Sequence, residues 1–182
     1  MTKFHKDGTL PLNGEIFVFG SNLAGIHGAG AAKIAHQKFG AVYGSGMGLM
    51  GKSWAIPTKD NFLNTLTLSD IARHIHIFVN DAPKFFPEHK WFVTRVGCGL
   101  AGYTDDQIAP LFKGARNCSF AEAWRPYLED AQVPLVKKKL PLPEFPVDDQ
   151  SLTCSKCGIV WKGAMMYSCS HSECPVQSRA YY

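Results

Sequence analysis

The strongest structural signal in the chain is a short apolar run, Glu15-Ile16-Phe17-Val18-Phe19-Gly20, which ends at a glycine and leads into Ser21-Asn22. Four consecutive apolar residues without polar alternation predict a strand that is buried on both faces, as in a parallel sheet. After it, residues 29–39 place alanines and Ile34 among polar residues at helical spacing, and Gly40 follows. This pattern predicts a helix that packs closely on the sheet and ends at a glycine cap.

Further along the chain, strand-like and helix-like segments alternate. Residues 41–52 contain four glycines and predict a loop. Residues 53–57 predict a second strand that ends at its proline, and residues 90–96 predict a third strand that glycines follow.

Helical periodicity is clearest between Leu68 and Ala82, where apolar residues recur at three- and four-residue steps. Thr67 or Ser69 is the expected N-cap of this helix. Residues 105–113 and 121–131 predict two more helices. Because strands alternate with helices, we expect an α/β fold with a mostly parallel sheet and helices on both faces, and such sheets bind ligands at the carboxyl ends of their strands.

Size and charge narrow the possible classes of protein. A chain of 182 residues that is 46% hydrophobic can form one core of ordinary size and a small appendage. The 19 Lys and Arg residues against 15 Asp and Glu give a net charge of only +4, which does not indicate a broad nucleic-acid groove. No secretion signal is evident, and no apolar run reaches the roughly 18 residues of a membrane span. We therefore expect a cytoplasmic protein without a membrane partner.

Composition divides the chain into three parts. Residues 1–133 are expected to form the α/β domain, residues 134–150 a proline-rich linker, and residues 151–182 a small cysteine-rich module. Four of the six cysteines lie in that last part, and without a signal peptide they favour metal ligation over disulfides.

The cysteines of the C-terminal module form a C-x2-C pair and a C-x4-C pair that eleven residues separate: Cys154, Cys157, Cys169 and Cys174. Two such pairs, brought together by a hairpin, supply the tetrahedral thiolate site of a structural zinc ion, and the module resembles a zinc ribbon. His171 could replace Cys169 or Cys174 as a ligand. So short a segment cannot bury enough core to fold alone, so zinc would supply much of its folding free energy. The module either presents a surface to a nucleic acid or protein, or serves as a stabilising tail.

Three loops follow the three predicted strands and should meet at one edge of the sheet. They read Gly20-Ser21-Asn22-Leu23-Ala24-Gly25-Ile26-His27-Gly28-Ala29-Gly30, then Thr58-Lys59-Asp60, and finally Gly97-Cys98-Gly99-Leu100-Ala101-Gly102-Tyr103. Glycines in the first and third loops let backbone N–H groups approach an anion, and the helix after each loop adds its positive end. Together these two loops predict a diphosphate site, although a single Gly-rich loop is more often a tight turn.

These motifs, taken in order, resemble the macrodomain superfamily. The resemblance rests on an Asn after a buried strand, a Gly-rich turn into an Ala-rich helix, Pro57-Thr58-Lys59 after a middle strand, and Thr94-Arg95-Val96-Gly97-Cys98-Gly99-Leu100 after a late strand. The most similar branch contains terminal ADP-ribose glycohydrolases and antitoxins that strip ADP-ribose from DNA. The resemblance implies a macrodomain-like fold that binds ADP-ribose.

The resemblance also implies roles for individual residues. Asn22 would contact the distal ribose, Gly28, Ala29 and Gly30 would line the ribose and phosphate side, and residues 97–102 would hold the diphosphate. Lys59 falls where this branch places its catalytic lysine, whose amine can attack the anomeric carbon or assist departure of the attached group. The alternative is a surface lysine in a turn.

One position departs from the glycohydrolases of this branch. They carry an acidic residue after Gly-Cys-Gly-Leu, where this chain has Ala101. Asp105 or Asp106 could substitute for it, but both are first-turn residues of the next predicted helix and fit helix capping better. Ala101 therefore favours binding without turnover, whereas Lys59 favours hydrolysis.

Four further side chains are candidates for ligand contact. His27 could act in acid–base chemistry or bind a phosphate, and Cys98 could act as a nucleophile. Phe19 and Tyr103 could stack on adenine or ribose. Each of them could instead have only a structural role. His27 could be a polar packing residue, Cys98 a small buried residue, and Phe19 and Tyr103 could pack in the core or at the rim of the cleft.

Three functions follow from these observations. The chain binds ADP-ribose and hydrolyses an ADP-ribosyl bond on a nucleic acid or protein, or it binds ADP-ribose or NAD-derived nucleotides without turnover. In the third alternative, the zinc ribbon binds nucleic acid and the α/β domain is a scaffold.

The purified chain should contain about one zinc ion per molecule, because four thiolates saturate a tetrahedral site. The double variant Cys154→Ser/Cys157→Ser should lose the metal in an elemental analysis, whereas the control Cys98→Ser/Cys118→Ser should keep it. Retention of zinc by the first variant would show that these cysteines are not its ligands. A matched loss in His171→Ala would show that His171 is one.

Overall fold

The structure is a computed structural model that describes residues 3–12 and 14–129, together with the backbone of two short strands near the C-terminus. Six strands form the main sheet: β1 (Lys3–His5), β2 (Glu15–Asn22), β3 (Gly48–Met50), β4 (Ser53–Lys59), β5 (Lys90–Val93) and β6 (Cys118–Ala121). The helices are α1 (Gly30–Phe39), α2 (Leu68–Phe85), α3 (Asp105–Ile108) and α4 (Arg125–Leu128), with short 3-10 helices at Ala109–Phe112 and Glu122–Trp124.

The main sheet has the strand order β1-β6-β5-β2-β4-β3. Every pairing is parallel except that of β3 with β4, which is antiparallel. The expected α/β fold with a mostly parallel sheet is confirmed. β2 lies in the middle and pairs with β4 on one side and β5 on the other.

Helices cover both faces of this sheet, because the central strands are apolar on both sides. Phe17 and Phe19 of β2 pack with Ala32 and Ala35 of α1. The alternating residues, exemplified by Val18, belong to the larger cluster that includes α2. Burying each of these side chains contributes roughly 1.5–3 kcal/mol to stability. Because successive residues of β2 belong to different clusters, this strand joins the two cores.

Two helix boundaries follow their sequence signals. Gly40 caps α1 in the left-handed conformation, with a φ of 76°. At the start of α2, the Thr67 hydroxyl accepts a hydrogen bond from the Asp70 N–H at 3.2 Å. Thr67, rather than Ser69, is therefore the N-cap, and the predicted helices over 29–39 and 68–82 are confirmed.

The predicted strand ends need correction. β4 continues through Pro57 to Lys59 instead of ending at the proline. This is possible because Pro57 lies opposite Ser21, beside a register shift in the β2 pairing, and β3 pairs with β4 only at positions 53–55. β5 ends at Val93. The Thr94 N–H makes the last ladder bond to the Val18 carbonyl at 3.0 Å, to which its hydroxyl also donates at 2.9 Å, and the chain then turns, with the Val96 N–H donating to the Thr94 carbonyl at 2.7 Å.

Three strands were missed in the sequence, and one predicted helix is wrong in part. β1 and β3 are only three residues long, and β3 lies inside the predicted glycine-rich loop. Cys118–Ala121 is a fully buried strand, so the predicted helix over 121–131 is reduced to the 3-10 turn and α4. The predicted helix over 105–113 is confirmed as α3 continued by a 3-10 turn.

The C-terminal strands form a separate two-stranded sheet. Leu152–Thr153 pairs antiparallel with Val160–Trp161, and the pair flanks the first cysteine pair in sequence. The predicted linker over 134–150 and the predicted ligands Cys154, Cys157, Cys169 and Cys174 lie outside the described residues. None of the helices described is long and apolar enough to cross a membrane.

Candidate functional site

A cleft of about 380 Å³ opens at the edge of the sheet where β2, β4 and β5 end. All three predicted loops contribute to it. The described residues that line it are Gly20, Ser21, Asn22, Ile26, Gly28, Ala29, Gly30, Ala31, Ala32, Thr58, Lys59, Leu63, Thr94, Arg95, Val96, Gly97, Gly99, Leu100 and Ala101. A volume of this size is within the range of small-molecule sites.

The first loop presents a row of unused backbone donors. The N–H groups of Gly28, Ala29, Gly30 and Ala31 have no acceptor among the described residues. Ala29 is the N-cap of α1, and its side chain offers no hydrogen bond to the helix. The positive end of α1 is therefore left open toward the cleft, which favours an anion.

The third loop presents a second row. Within the described part of the chain, the N–H groups of Gly97, Gly99, Leu100 and Ala101 have no acceptor. The loop keeps its shape through other bonds, since the Gly102 N–H donates to the Gly99 carbonyl at 2.9 Å and the Tyr103 N–H to the Gly97 carbonyl at 3.0 Å. Gly97 has a φ of 77°, a backbone conformation in which a residue with a side chain would be strained.

Lys59 lines the same cleft, at the end of β4. Its backbone is fixed, because its carbonyl accepts the Leu23 N–H at 2.9 Å and the residue bridges to Thr65. No hydrogen bond or ion pair to a described residue engages its ammonium group. This positive charge is available to a ligand.

Arg95 also lines the cleft, but its charge is already compensated. Its Nε and Nη2 donate to the two carboxylate oxygens of Asp105 at 2.9 and 2.7 Å, and Nη1 donates to Asp7 at 3.1 Å. Trp124 Nε1 donates to the same Asp105 carboxylate at 2.7 Å. Partial burial opposes ionisation, yet the hydrogen bonds from Arg95 and Trp124 hold the pKa of Asp105 below its usual value. Asp105 is thus an anchor behind the third loop and does not supply the acid that Ala101 lacks.

Asn22 is placed at the cleft, but its side chain already holds the first loop. Its Nδ2 donates to the Ile26 carbonyl at 2.7 Å, and its Oδ1 accepts the Ile26 N–H at 2.9 Å. One amide hydrogen and one oxygen lone pair remain for a ligand. Substitution of Asn22 would therefore change the loop as well as any ligand contact.

The first loop rests on the segment 41–48, and the two backbones touch. The Gly44 N–H donates to the Gly25 carbonyl at 3.0 Å, and Ser21 donates its hydroxyl hydrogen to the Gly46 carbonyl. A Cβ atom at Gly46 would overlap the Asn22 carbonyl oxygen, and one at Gly25 would overlap the backbone of the facing segment.

His27 is part of this support. It is 1% exposed, and its Nε2 lies 3.0 Å from the Val42 carbonyl and 3.1 Å from the Ser45 carbonyl. Both partners are acceptors, so Nε2 carries the proton. Burial lowers the pKa of His27, which keeps the ring neutral near pH 7. The histidine fastens the two segments and does not line the cleft.

The other candidates outside the cleft lining have structural contacts. Phe19 is fully buried in the core beneath α1, and Gly102 lies in the turn that closes the third loop. The Tyr103 hydroxyl donates to the Leu66 carbonyl at 2.8 Å. Burial and the adjacent Asp105 carboxylate raise the pKa of Cys98 to about 12, so its thiol is protonated at neutral pH.

Two apolar residues of the cleft had no sequence signal as ligand contacts. Ile26 lies inside the first loop, and Leu63 follows the Thr58-Lys59-Asp60 loop, but a partly exposed aliphatic residue in a loop has no spacing that marks it. Over the described ranges, no group of three or more His, Cys, Asp or Glu side chains could hold a metal ion.

No protein-family model matches the chain, and no curated protein matches it. A solved structure similar to it is that of Thermosipho africanus DarTG in complex with ADP-ribose, at 16% identity and a TM-score of 0.44. The match covers 60% of this chain and 38% of that one, so this chain corresponds to less than half of that protein. A likeness at this level assigns neither a family nor a ligand.

The contact between the two backbones predicts that Gly46→Ala destabilises the protein by about 1–3 kcal/mol, because the added methyl group forces the first loop away from its support. The matched change Gly28→Ala should alter stability by less than about 1 kcal/mol, since its Cβ would meet only the Tyr43 hydroxyl, at 3.9 Å. Urea unfolding of both variants measures the difference. Equal stability of the two would show that the segments do not touch.

Proposed function

We propose that this chain binds ADP-ribose, or a ligand that contains ADP-ribose, in the cleft at the carboxyl edge of its sheet. The observation that carries the proposal is the pair of unused N–H rows, at residues 28–31 and at Gly97, Gly99, Leu100 and Ala101, which line one cleft. A diphosphate has enough oxygen atoms to accept hydrogen bonds from both rows. Backbone donors at a helix start are well suited to such a group.

The charge of the cleft supports an anionic ligand. Its described lining includes Lys59 and Arg95 and no aspartate or glutamate. Arg95 is neutralised by Asp105 and Asp7, which leaves Lys59 as the cation that a ligand would meet. Such a site attracts a diphosphate without requiring a metal ion.

The macrodomain resemblance suggests how the ligand is oriented in the cleft. The motifs that carry it, around Asn22, Lys59 and Gly97, converge on this cleft. With the diphosphate between the two N–H rows, the distal ribose would lie near Asn22 and its anomeric carbon near Lys59. We therefore propose a macrodomain-like domain in which Asn22 holds the loop and Lys59 faces the reactive end of the ligand.

Lys59 also supports a second proposal, hydrolysis of an ADP-ribosyl bond. The Lys59 ammonium would give a proton to the departing acceptor, and its amine would attack the anomeric carbon as the bond to the acceptor breaks. Water would then attack the same carbon, which releases ADP-ribose and restores the ammonium. Against turnover, the described lining has no carboxylate or histidine to act as a general acid or base. The cleft therefore supports binding more strongly than it supports catalysis.

The C-terminal cysteines remain our proposed ligands for one structural zinc ion. We propose that this module contributes a contact surface or stabilises the chain, and that ligand recognition belongs to the cleft. In the competing proposal, the main function of the chain is to bind nucleic acid through the zinc module. Binding of DNA or RNA that weakens steeply with salt would favour it.

ADP-ribose should bind the folded protein, and an added negative charge at Gly28 should oppose it. We expect Gly28→Glu to bind about tenfold or more weakly than Gly28→Gln, because roughly 1.4 kcal/mol of repulsion from the diphosphate gives that factor. The two side chains have nearly the same size, so the difference reports charge alone. Calorimetric titration at two salt concentrations measures it, and the difference should shrink at high salt.

Two outcomes would contradict this binding mode. Equal affinities of the two variants would place the diphosphate away from Gly28, and no binding by folded wild-type protein would exclude ADP-ribose as the ligand. Thermal unfolding of each variant checks that the fold is retained.

If the protein turns over its ligand, Lys59→Met should reduce the release of ADP-ribose by about 100-fold or more, which is the usual scale for loss of a participating group. The affinity for ADP-ribose should fall much less. Lys59→Arg keeps the charge but not the nucleophilic amine. It should therefore be as inactive as Lys59→Met but bind ADP-ribose more tightly than that variant does. The substrates are ADP-ribosylated oligonucleotides and peptides, and chromatography of free ADP-ribose gives the rate. If the wild-type protein binds these substrates but releases no ADP-ribose, it is a binding protein without hydrolase activity.

A further inference from the structure

An exposed aromatic side chain lies beside the cleft, on the turn that follows Lys59. Phe62 is 85% exposed, and the next residue, Leu63, lines the cleft. Lys59 and Thr65 form an antiparallel bridge across the turn. Phe62 is therefore at the tip of a short hairpin that begins at the proposed reactive lysine.

The hairpin has a fixed shape although its tip is exposed. The Asp60 N–H donates to the Asn64 carbonyl at 2.8 Å, and Asp60 Oδ1 accepts the N–H groups of Phe62 and Asn64, both at 2.8 Å. Asp60 Oδ2 accepts from Asn64 Nδ2 at 3.1 Å. These hydrogen bonds, and not burial, hold the backbone that carries Phe62.

The base of the hairpin is attached to the third loop. The Thr65 hydroxyl donates to the Ala101 carbonyl at 3.2 Å. The Leu66 N–H donates to Thr58, and the Leu66 carbonyl accepts the Tyr103 hydroxyl. A ligand whose diphosphate lies on the third loop, with its distal ribose toward Lys59, would direct the group on its anomeric carbon toward this tip.

We infer that Phe62 is a specificity-determining residue that stacks on a planar heteroaromatic ring joined to the distal ribose. The inference rests on the proposed binding of ADP-ribose. The tip offers an aromatic face. The Asp60 carboxylate and the Asn64 amide bond each other, whereas the exposed Asn61 amide beside Phe62 has no hydrogen bond to a described residue and is a second polar contact for the attached group. An acceptor side chain joined through an ester, as on glutamate, has no aromatic face to stack, whereas a planar ring gains stacking energy on Phe62. The nicotinamide of NAD and a nucleobase share this chemistry.

The test compares ligands with and without the ring. Wild type, Phe62→Ala and Phe62→Trp are titrated with ADP-ribose, with NAD, with an oligonucleotide that carries ADP-ribose on a nucleobase, and with a peptide that carries it on glutamate. Chromatography confirms that each ligand stays intact during the titration. Phe85→Ala is the matched control, because Phe85 is also exposed, at 53%, but lies at the far end of α2.

We expect Phe62→Ala to weaken binding of at least one ring-bearing ligand by about fivefold or more, which corresponds to the stacking of one base on an aromatic residue. Binding of ADP-ribose should change less than about twofold, and Phe62→Trp should retain the affinity for the ring. A loss limited to NAD identifies nicotinamide, and a loss limited to the oligonucleotide identifies a nucleobase.

Other outcomes would overturn the inference. An equal loss for ADP-ribose would show that Phe62 contacts the nucleotide itself, and an equal loss for the glutamate peptide would show no preference for a ring. Unchanged affinity for every ligand would show that the tip touches none of them. Failure of wild-type protein to bind ADP-ribose is a different result, because it removes the proposed function and this inference with it.

Discussion

The parallel pairing of β2 with both β4 and β5 is the constraint on which the site depends. Parallel neighbours must end at the same edge of the sheet, so the loops after Asn22, Lys59 and Val93 open toward one another. The pairing is stable because β2 is apolar on both faces and joins the core under α1 to the core under α2. The cleft is a consequence of how the core is built.

Unused backbone N–H groups are the main donors that this cleft would offer to a ligand. Side chains act mostly from behind: Asp105 holds Arg95 and Trp124 beneath the third loop, and His27 fastens the first loop to residues 42–45. A site of this kind has its donors in place before the ligand arrives, which lowers the ordering cost of binding. It also explains why Gly25 and Gly46 lie where two backbones touch, since a side chain there would displace the donors.

Charge in the cleft is divided between two cations of different availability. Arg95 is saturated by carboxylates and maintains the architecture, whereas Lys59 is left open to a ligand in the part of the chain that the structure describes. The same strand end then continues into the rigid hairpin that carries Phe62. Lys59 would thus supply the positive charge and the reactive group, and Phe62, three residues later, would select the group attached to the ribose.

The sequence alone determined the α/β class, the two principal helices and the three loops that meet at the cleft, because those features follow from local periodicity and from glycine at strand ends. It did not reveal β1 and β3, since strands of three residues are too short to show a period. It also missed β6, which is as long as β5 but, as Cys118-Ser119-Phe120-Ala121, lacks the consecutive large apolar residues of β5. Nor did it separate Asn22, Lys59 and Gly28 at the cleft from His27, Phe19 and Tyr103 behind it. Only the tertiary structure decided that, because neighbouring loop residues point to opposite sides of a backbone whose path is fixed by contacts from distant segments.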